Sequence, residues 1–204
     1  MIEAKEHELE APEAVLECAM TWLKEFGSEP TYDLYSQLAQ SYALYVRARS
    51  GEVVSKEAKA IVSDLDRQWG KSWRDSTSAL FLAGTFKILQ MDNEANDLLR
   101  KPPQIWKGGL AWPLDDPALY GAVYSWIAAK HFSPDKALSP LDTVIPVERM
   151  ITEGTFYSFN SSFTVMGLQA LSEKLGELPS DALQIAHAKD GGCLLYTSSY
   201  RISG

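Results

Sequence analysis

The residues of this chain that could do chemistry are two cysteines, three histidines and an adjacent pair of carboxylates. Gly192-Cys193-Leu194 is the most suggestive stretch. An internal thioester joins a cysteine thiol to the acyl group of a glutamine three residues further on, in the pattern Gly-Cys-x-Glu-Gln. Here that position is Tyr196, which has no acyl group, so Cys193 cannot close a thioester within this chain. Cys18 falls on the apolar face of a predicted helix and is expected to be a small buried hydrophobe. Asp115-Asp116 could hold a metal or act as an acid–base pair. Adjacent acids before Pro117 are better read as a helix cap with a solvated neighbour. His7, His131 and His187 lack the spacing of a zinc site. His131 suits the C-terminal end of a helix, where the dipole favours a cation.

No Gly-rich phosphate loop, nucleophile elbow or metalloprotease motif occurs. The reading is therefore of a chain with no catalytic, cofactor-binding or metal-binding residues, and not of an enzyme. Among the tryptophans, Trp106 and Trp112 in one long loop, with Trp69 and Trp73 flanking another turn, could form an aromatic platform. The simpler reading is that loop tryptophans plug the open ends of helix pairs and bury large apolar area.

Composition narrows the classes. The 204 residues are 46% hydrophobic and 23% charged, the balance of a globular protein with a sizeable core. A net charge of −8 argues against a nucleic-acid footprint or a patch for anionic membranes. No apolar run reaches the roughly 20 residues that span a bilayer, and the acidic stretch Met1 to Glu10 has no hydrophobic signal core. Two cysteines do not suggest a disulfide framework.

The elements that would position any site are helices. Pro12 fits the first turn of a helix carrying Val15, Cys18, Trp22 and Phe26 on one face, stopped by Gly27. A second runs from about Tyr35 to Arg49, with Gly51 as its stop. Ser55 is the expected cap of a polar helix with a buried stripe of Ile61, Val62, Leu65 and Trp69. Asp75 or Ser76 caps an almost wholly apolar helix through Leu89, and a short charged helix, Asn93 to Lys101, ends at Pro102-Pro103. After the loop to Asp116, Pro117 opens a helix to about His131. Ser133-Pro134 and Ser139-Pro140 repeat the cap signal, and Pro146 should break or kink any helix that begins at Pro140. Asn160 or Ser161 caps the last clear helix, which Gly176 ends. Ala182 to Ala188 reads as a short strand or an interdomain segment.

Four small-residue-rich phrases return at a spacing of roughly 40 residues, the range of helical repeats. They are Gln40-Ser41-Tyr42-Ala43-Leu44-Tyr45, Ser76-Thr77-Ser78-Ala79-Leu80-Phe81, Pro117-Ala118-Leu119-Tyr120-Gly121-Ala122 and Ser161-Ser162-Phe163-Thr164-Val165-Met166. Each belongs to a helix that stays apolar for several turns, with more polar helices between. Helices apolar on most faces must be surrounded by others. The pattern is an all-α, α/α array of buried inner and amphipathic outer helices, in which Leu80 and Leu168 face the core.

The phrase from Gln40 to Val53 resembles the helix and turn of the thioester-domain toroid of bacterial alpha-2-macroglobulins. The later order is similar too. A Leu-rich inner helix ends in Lys87-Ile88-Leu89-Gln90-Met91-Asp92-Asn93-Glu94-Ala95, followed by a polar helix, a tryptophan-containing loop, a helix over Ala118 to Phe132 and a capped helix over Ser161 to Leu175. The resemblance covers about Thr21 to Leu175. It implies that residues 1–178 are the C-terminal part of an incomplete α/α toroid, and 179–192 a linker or the start of a following β domain. It implies a non-catalytic scaffold fragment of a periplasmic protease trap, whose parent is often membrane-anchored. The partners would be proteases, reached through the full-length parent, and the parent's neighbouring domains, with no nucleic acid and no membrane contact by this segment. The family's thioester would lie upstream of this segment, and members without one exist.

Two other classes fit the helical pattern. A toroidal α/α enzyme, a cyclase or a glycan-active protein, should converge acids or histidines on its inner helices, where this chain offers Ser, Ala, Tyr and Phe. A tetratricopeptide-like binding module needs regular units of about 34 residues, against which the loop Pro102 to Asp116 stands.

Cys193-Leu194-Leu195-Tyr196-Thr197-Ser198 is the peptide encoded by one frame of a transposon end used in library construction, so 193–204 is read as a non-native tail. Sequencing the source DNA across this junction is expected to show genomic sequence diverging at codon 193. Uninterrupted genomic sequence there would refute the reading.

Overall fold

Helix boundaries follow from local signals that the backbone obeys with small shifts. In the computed structural model the described residues are 12–28, 33–101, 117–132, 157–175, isolated positions between 148 and 154, and the strand backbones 183–187 and 193–197. They form α1 (Glu13–Ser28), α2 (Leu34–Arg49), α3 (Ser55–Trp69), α4 (Thr77–Ile88), α5 (Asp92–Leu98), α6 (Pro117–His131) and α7 (Ser158–Leu175). A short 3-10 turn, Ser72–Asp75, leads into α4. Asp33 caps α2, its carboxylate accepting from the Ser36 N–H at 2.8 Å. Gly51 closes α2 with a φ of 95°, a left-handed conformation that glycine adopts without steric cost.

Two caps differ from the sequence reading. Ser55 is the first residue of α3, behind the N-cap Val54. The fully buried Val54 anchors the helix start by packing instead of by a side-chain hydrogen bond. α7 opens at Ser158, so Asn160 lies inside its first turn, where its side-chain oxygen accepts from the Tyr157 N–H at 3.1 Å. The reading of Asp115-Asp116 as a cap, the loop tryptophans Trp106 and Trp112, the signals between Ser133 and Pro146 and the stop at Gly176 lie outside the described residues.

The helices stack as an α/α array. α2, α4, α6 and α7 form one row, α4 packing between α2 and α6, and α6 between α4 and α7. α1, α3 and α5 lie along its outside, α1 on α2, α3 on α2 and α4, and α5 on α4. The four apolar phrases all fall in the inner row, in the middle of α2 and α7 and at the start of α4 and α6. Thr77 through Phe86 of α4, and Ala118 through Ala129 of α6, are buried without a break. The outer helix α3 buries only Ala58 and Leu65 fully, with Ile61, Val62 and Trp69 half-buried, the stripe its period predicts.

Two glycines set how closely the row packs. A Cβ on Gly167 of α7 would lie 2.6 Å from the backbone oxygen of Ala122 in α6. A Cβ on Gly84 of α4 would meet the Tyr45 ring at 2.8 Å and Ile127 at 3.0 Å. Tyr45 of α2 thus crosses the middle helix through the notch at Gly84 and stacks edge-on against Trp126 of α6, ring centroids 5.2 Å apart. The row also bends. Tyr42 of α2 and Phe163 of α7, on its two end helices, touch at 5.7 Å, with Phe81 of α4 against both.

The row has edges, and there the sequence reading of the buried face is corrected. Leu168 is 40% exposed, with Val165 and Phe159 also uncovered, because among the described residues α7 packs chiefly on α6, along one side. On α1 the packed stripe is Leu16, Ala19, Met20, Leu23 and Phe26, half-buried against α2, while Val15 and Trp22 stand outside, 53% and 59% exposed. Cys18 is exposed too, not buried as its neighbours suggested. Beyond the helices, Leu183–His187 (β1) pairs antiparallel with Cys193–Thr197 (β2), Gln184 opposite Tyr196. The strand alternative for Ala182 to Ala188 is the one the backbone takes. Ile185 on β1 and Tyr196 and Thr197 on β2 are residue types that favour a strand.

Leu80→Ala, at a fully buried position, is expected to cost roughly 2–5 kcal/mol in urea unfolding, whereas Leu168→Ala should cost less than about 1 kcal/mol. Equal losses at the two sites would contradict the placement of α7 at an edge. Gly167→Ala gains helix propensity of about 1 kcal/mol yet should destabilise by a net 1–3 kcal/mol, roughly, because the added methyl meets backbone that a side chain cannot step away from.

Candidate functional site

Three groups of polar and aromatic side chains come together, and each joins helices. The first is a charged knot where α3, the 3-10 turn and α5 meet. Arg74, only 7% exposed, reaches Asp97 of α5 and, at 3.3 Å, Asp66 of α3, while its guanidinium lies over the Trp73 ring at 5.5 Å. Trp73 is fully buried and donates its indole N–H to Asp66 at 2.8 Å; Lys71 donates to the same carboxylate at 2.7 Å. Burial would raise the Asp66 pKa, but the hydrogen bonds from Lys71, Trp73 and Arg74, with the charge of Arg74, outweigh it and hold it at about 2. Burial would lower the Arg74 pKa; its bonds to Asp97 and Asp66 raise it instead. Asp66 is the hub of this knot.

The second group lies at the C-terminal end of the inner row. The Tyr45 hydroxyl and the His131 Nε2 are 2.8 Å apart, their rings edge to face. Arg49 lies over both the Tyr45 and Trp126 rings, at 5.7 and 5.5 Å. Lys174 of α7 donates to the Ala129 and Phe132 carbonyls at the end of α6, at 3.1 and 2.9 Å. His131 does sit in the last turn of its helix, as the dipole argument expects, and in addition ties α6 to α2.

The third group is a cavity of about 290 Å³ at the opposite end, lined by Tyr35, Leu38, Ala39, Tyr42, Phe81, Tyr157 and Phe159. Its walls are aromatic and aliphatic, and it brings together no acid, base and nucleophile.

Those residues singled out from sequence that the structure describes are dispersed. Trp69 and Trp73 form no platform: Trp73 is buried in the charged knot, and the Trp69 indole donates to Gln37 at 3.1 Å. His187 lies in β1, far along the chain from His131, and His7 and Asp115-Asp116 fall outside the described residues. Among the described residues no three His, Cys, Asp or Glu side chains gather to hold a metal ion, and no helix is long and apolar enough to cross a membrane. Arg74 and Gly84 were not singled out from sequence. An arginine in a polar turn reads as surface, while a glycine inside an apolar helix is a visible signal of close packing.

Inner buried helices alternating with amphipathic outer ones, tied together by polar clusters between helices, define an all-α array. The chain is similar to bacterial alpha-2-macroglobulins. It is 26% identical over 181 residues to an alpha-2-macroglobulin homolog of Yersinia pestis, covering 86% of this chain and 9% of that protein. It is 25% identical over 209 residues to an alpha-2-macroglobulin of Pasteurella multocida, covering 92% and 10%. With an alpha-2-macroglobulin of Rickettsia conorii the identity is 20% over 182 residues, covering 87% and 9%. The chain thus spans about a tenth of the length of the curated relatives it matches. No family profile and no solved structure matches it.

The pKa of Asp66 gives a signed expectation. A carboxylate held at about 2 when folded and near 3.8 otherwise stabilises the fold fully above pH of about 5. It loses that contribution as pH falls through 4 towards 2. Asp66→Asn should therefore cost on the order of 1–2 kcal/mol at pH 6, with the gap to the unaltered chain shrinking at pH 2.5 in parallel urea titrations. A gap constant with pH would remove Asp66 from the hub. For Cys18, a Cys193→Ser variant is expected to react with a chromogenic disulfide reagent in native buffer at a rate within a few-fold of the unfolded chain. Protection by orders of magnitude would bury the thiol after all.

Proposed function

We propose that this chain is a non-catalytic scaffold segment of an alpha-2-macroglobulin-like protease trap. Residues 1–178 would form the C-terminal part of its α/α toroid, 179–192 would lead to a following β domain, and 193–204 would be a non-native tail. The observation that carries this reading is the inner row itself. α4 and α6 are buried along almost their whole length, whereas the outer helix α1 and the end helix α7 leave apolar side chains in water, Val15 and Trp22 on α1 and Val165 and Leu168 on α7. Such a unit is shaped to be continued by more helices of the same kind. The ordered resemblance to bacterial alpha-2-macroglobulins across most of the chain supports the same assignment.

In this reading the parent is a periplasmic endopeptidase inhibitor, and proteases meet the parent, not this segment. The segment holds shape. The inner helices present Ser, Thr, Tyr and Phe, with no convergent acids or histidines among the described residues, which favours a scaffold over a toroidal enzyme.

Two experiments test the proposal. Expressed alone, the chain should self-associate or precipitate through its uncovered edges; a well-behaved monomer that unfolds cooperatively at high concentration would count against it. Incubated with an active protease and run on a denaturing gel, the chain should form no covalent adduct, because Tyr196 offers Cys193 no acyl partner. An adduct that survives reduction and is abolished by methylamine pretreatment would overturn the scaffold role.

A further inference from the structure

We draw no further inference here: the strongest candidate, the aromatic cavity of about 290 Å³ between the N-terminal turns of α2 and α7, is an apolar recess for which nothing in the structure shows what covers or fills it.

Discussion

Everything in this array depends on two helices that have no face fit for water. α4 is buried from Thr77 to Phe86 and α6 from Ala118 to Ala129, so neither can exist without neighbours on all sides. That requirement dictates the arrangement of the rest. α2 and α7 flank the pair, the amphipathic α3 and α5 roof α4, and small residues let the helices approach. Serine and threonine in these helices are accommodated by bonding back one turn: Ser41 to Gln37, Thr85 to Phe81 and Ser125 to Gly121, each at 2.8–2.9 Å. These three polar side chains thus satisfy themselves within their own helices, while the buried Ser78 Oγ and Thr164 Oγ1 make no hydrogen bond among the described residues and are accommodated by size alone. Shape, more than polarity, then decides what fits, and the contacts of Gly84 and Gly167 are where the tolerance is least.

The inner helices also share a direction, since Tyr45 and His131, Lys174 and Phe132, and Lys87 and Phe132 all meet at their C-terminal ends. Parallel helices add their dipoles instead of cancelling them, so this end of the row gathers negative partial charge. The chain meets it with basic residues in each last turn: Arg47 and Arg49 on α2, Lys87 on α4, Lys130 and His131 on α6, and Lys174 on α7. The outer helices α3 and α5 run back from this end with acids in or just before their first turns, so Arg47 pairs with Glu52 and Glu57, and Lys87 with Asp92. In a protein of net charge −8, this local ordering of sign is set by helix direction.

How much of this was legible in the sequence differs by element. The inner helices announced themselves, because a run such as Ser78-Ala79-Leu80-Phe81-Leu82-Ala83 admits no amphipathic reading. Stops were legible where glycine took a left-handed conformation, as at Gly51. The buried face of α1 was not. Its apolar residues cover more than half the circumference, so the stripe through Leu16, Met20 and Leu23 and the stripe through Val15, Cys18 and Trp22 satisfy the helical period equally well. Only the position of α2 chooses between them. Leu168 failed for the same reason at the other end: periodicity reports which side chains are apolar, not whether a neighbour exists to cover them. The charged knot was invisible because Asp66, Arg74 and Asp97 come from three separate elements.

The passage of Tyr45 through the notch at Gly84 has a consequence for the order in which the chain assembles. Tyr45 and His131 are 86 positions apart, so their contact closes one of the longest loops in the array, and loops of that length close late and slowly. The contacts of α4 with α2 and α5 span far fewer residues. Loop-closure entropy therefore favours the contacts around α4 over the clasp, which needs α6 in place before the tyrosine hydroxyl has a partner to meet. With α2 against α4 the Tyr45 ring already fills the notch at Gly84, and it is the hydroxyl beyond it that waits for α6 to bring His131.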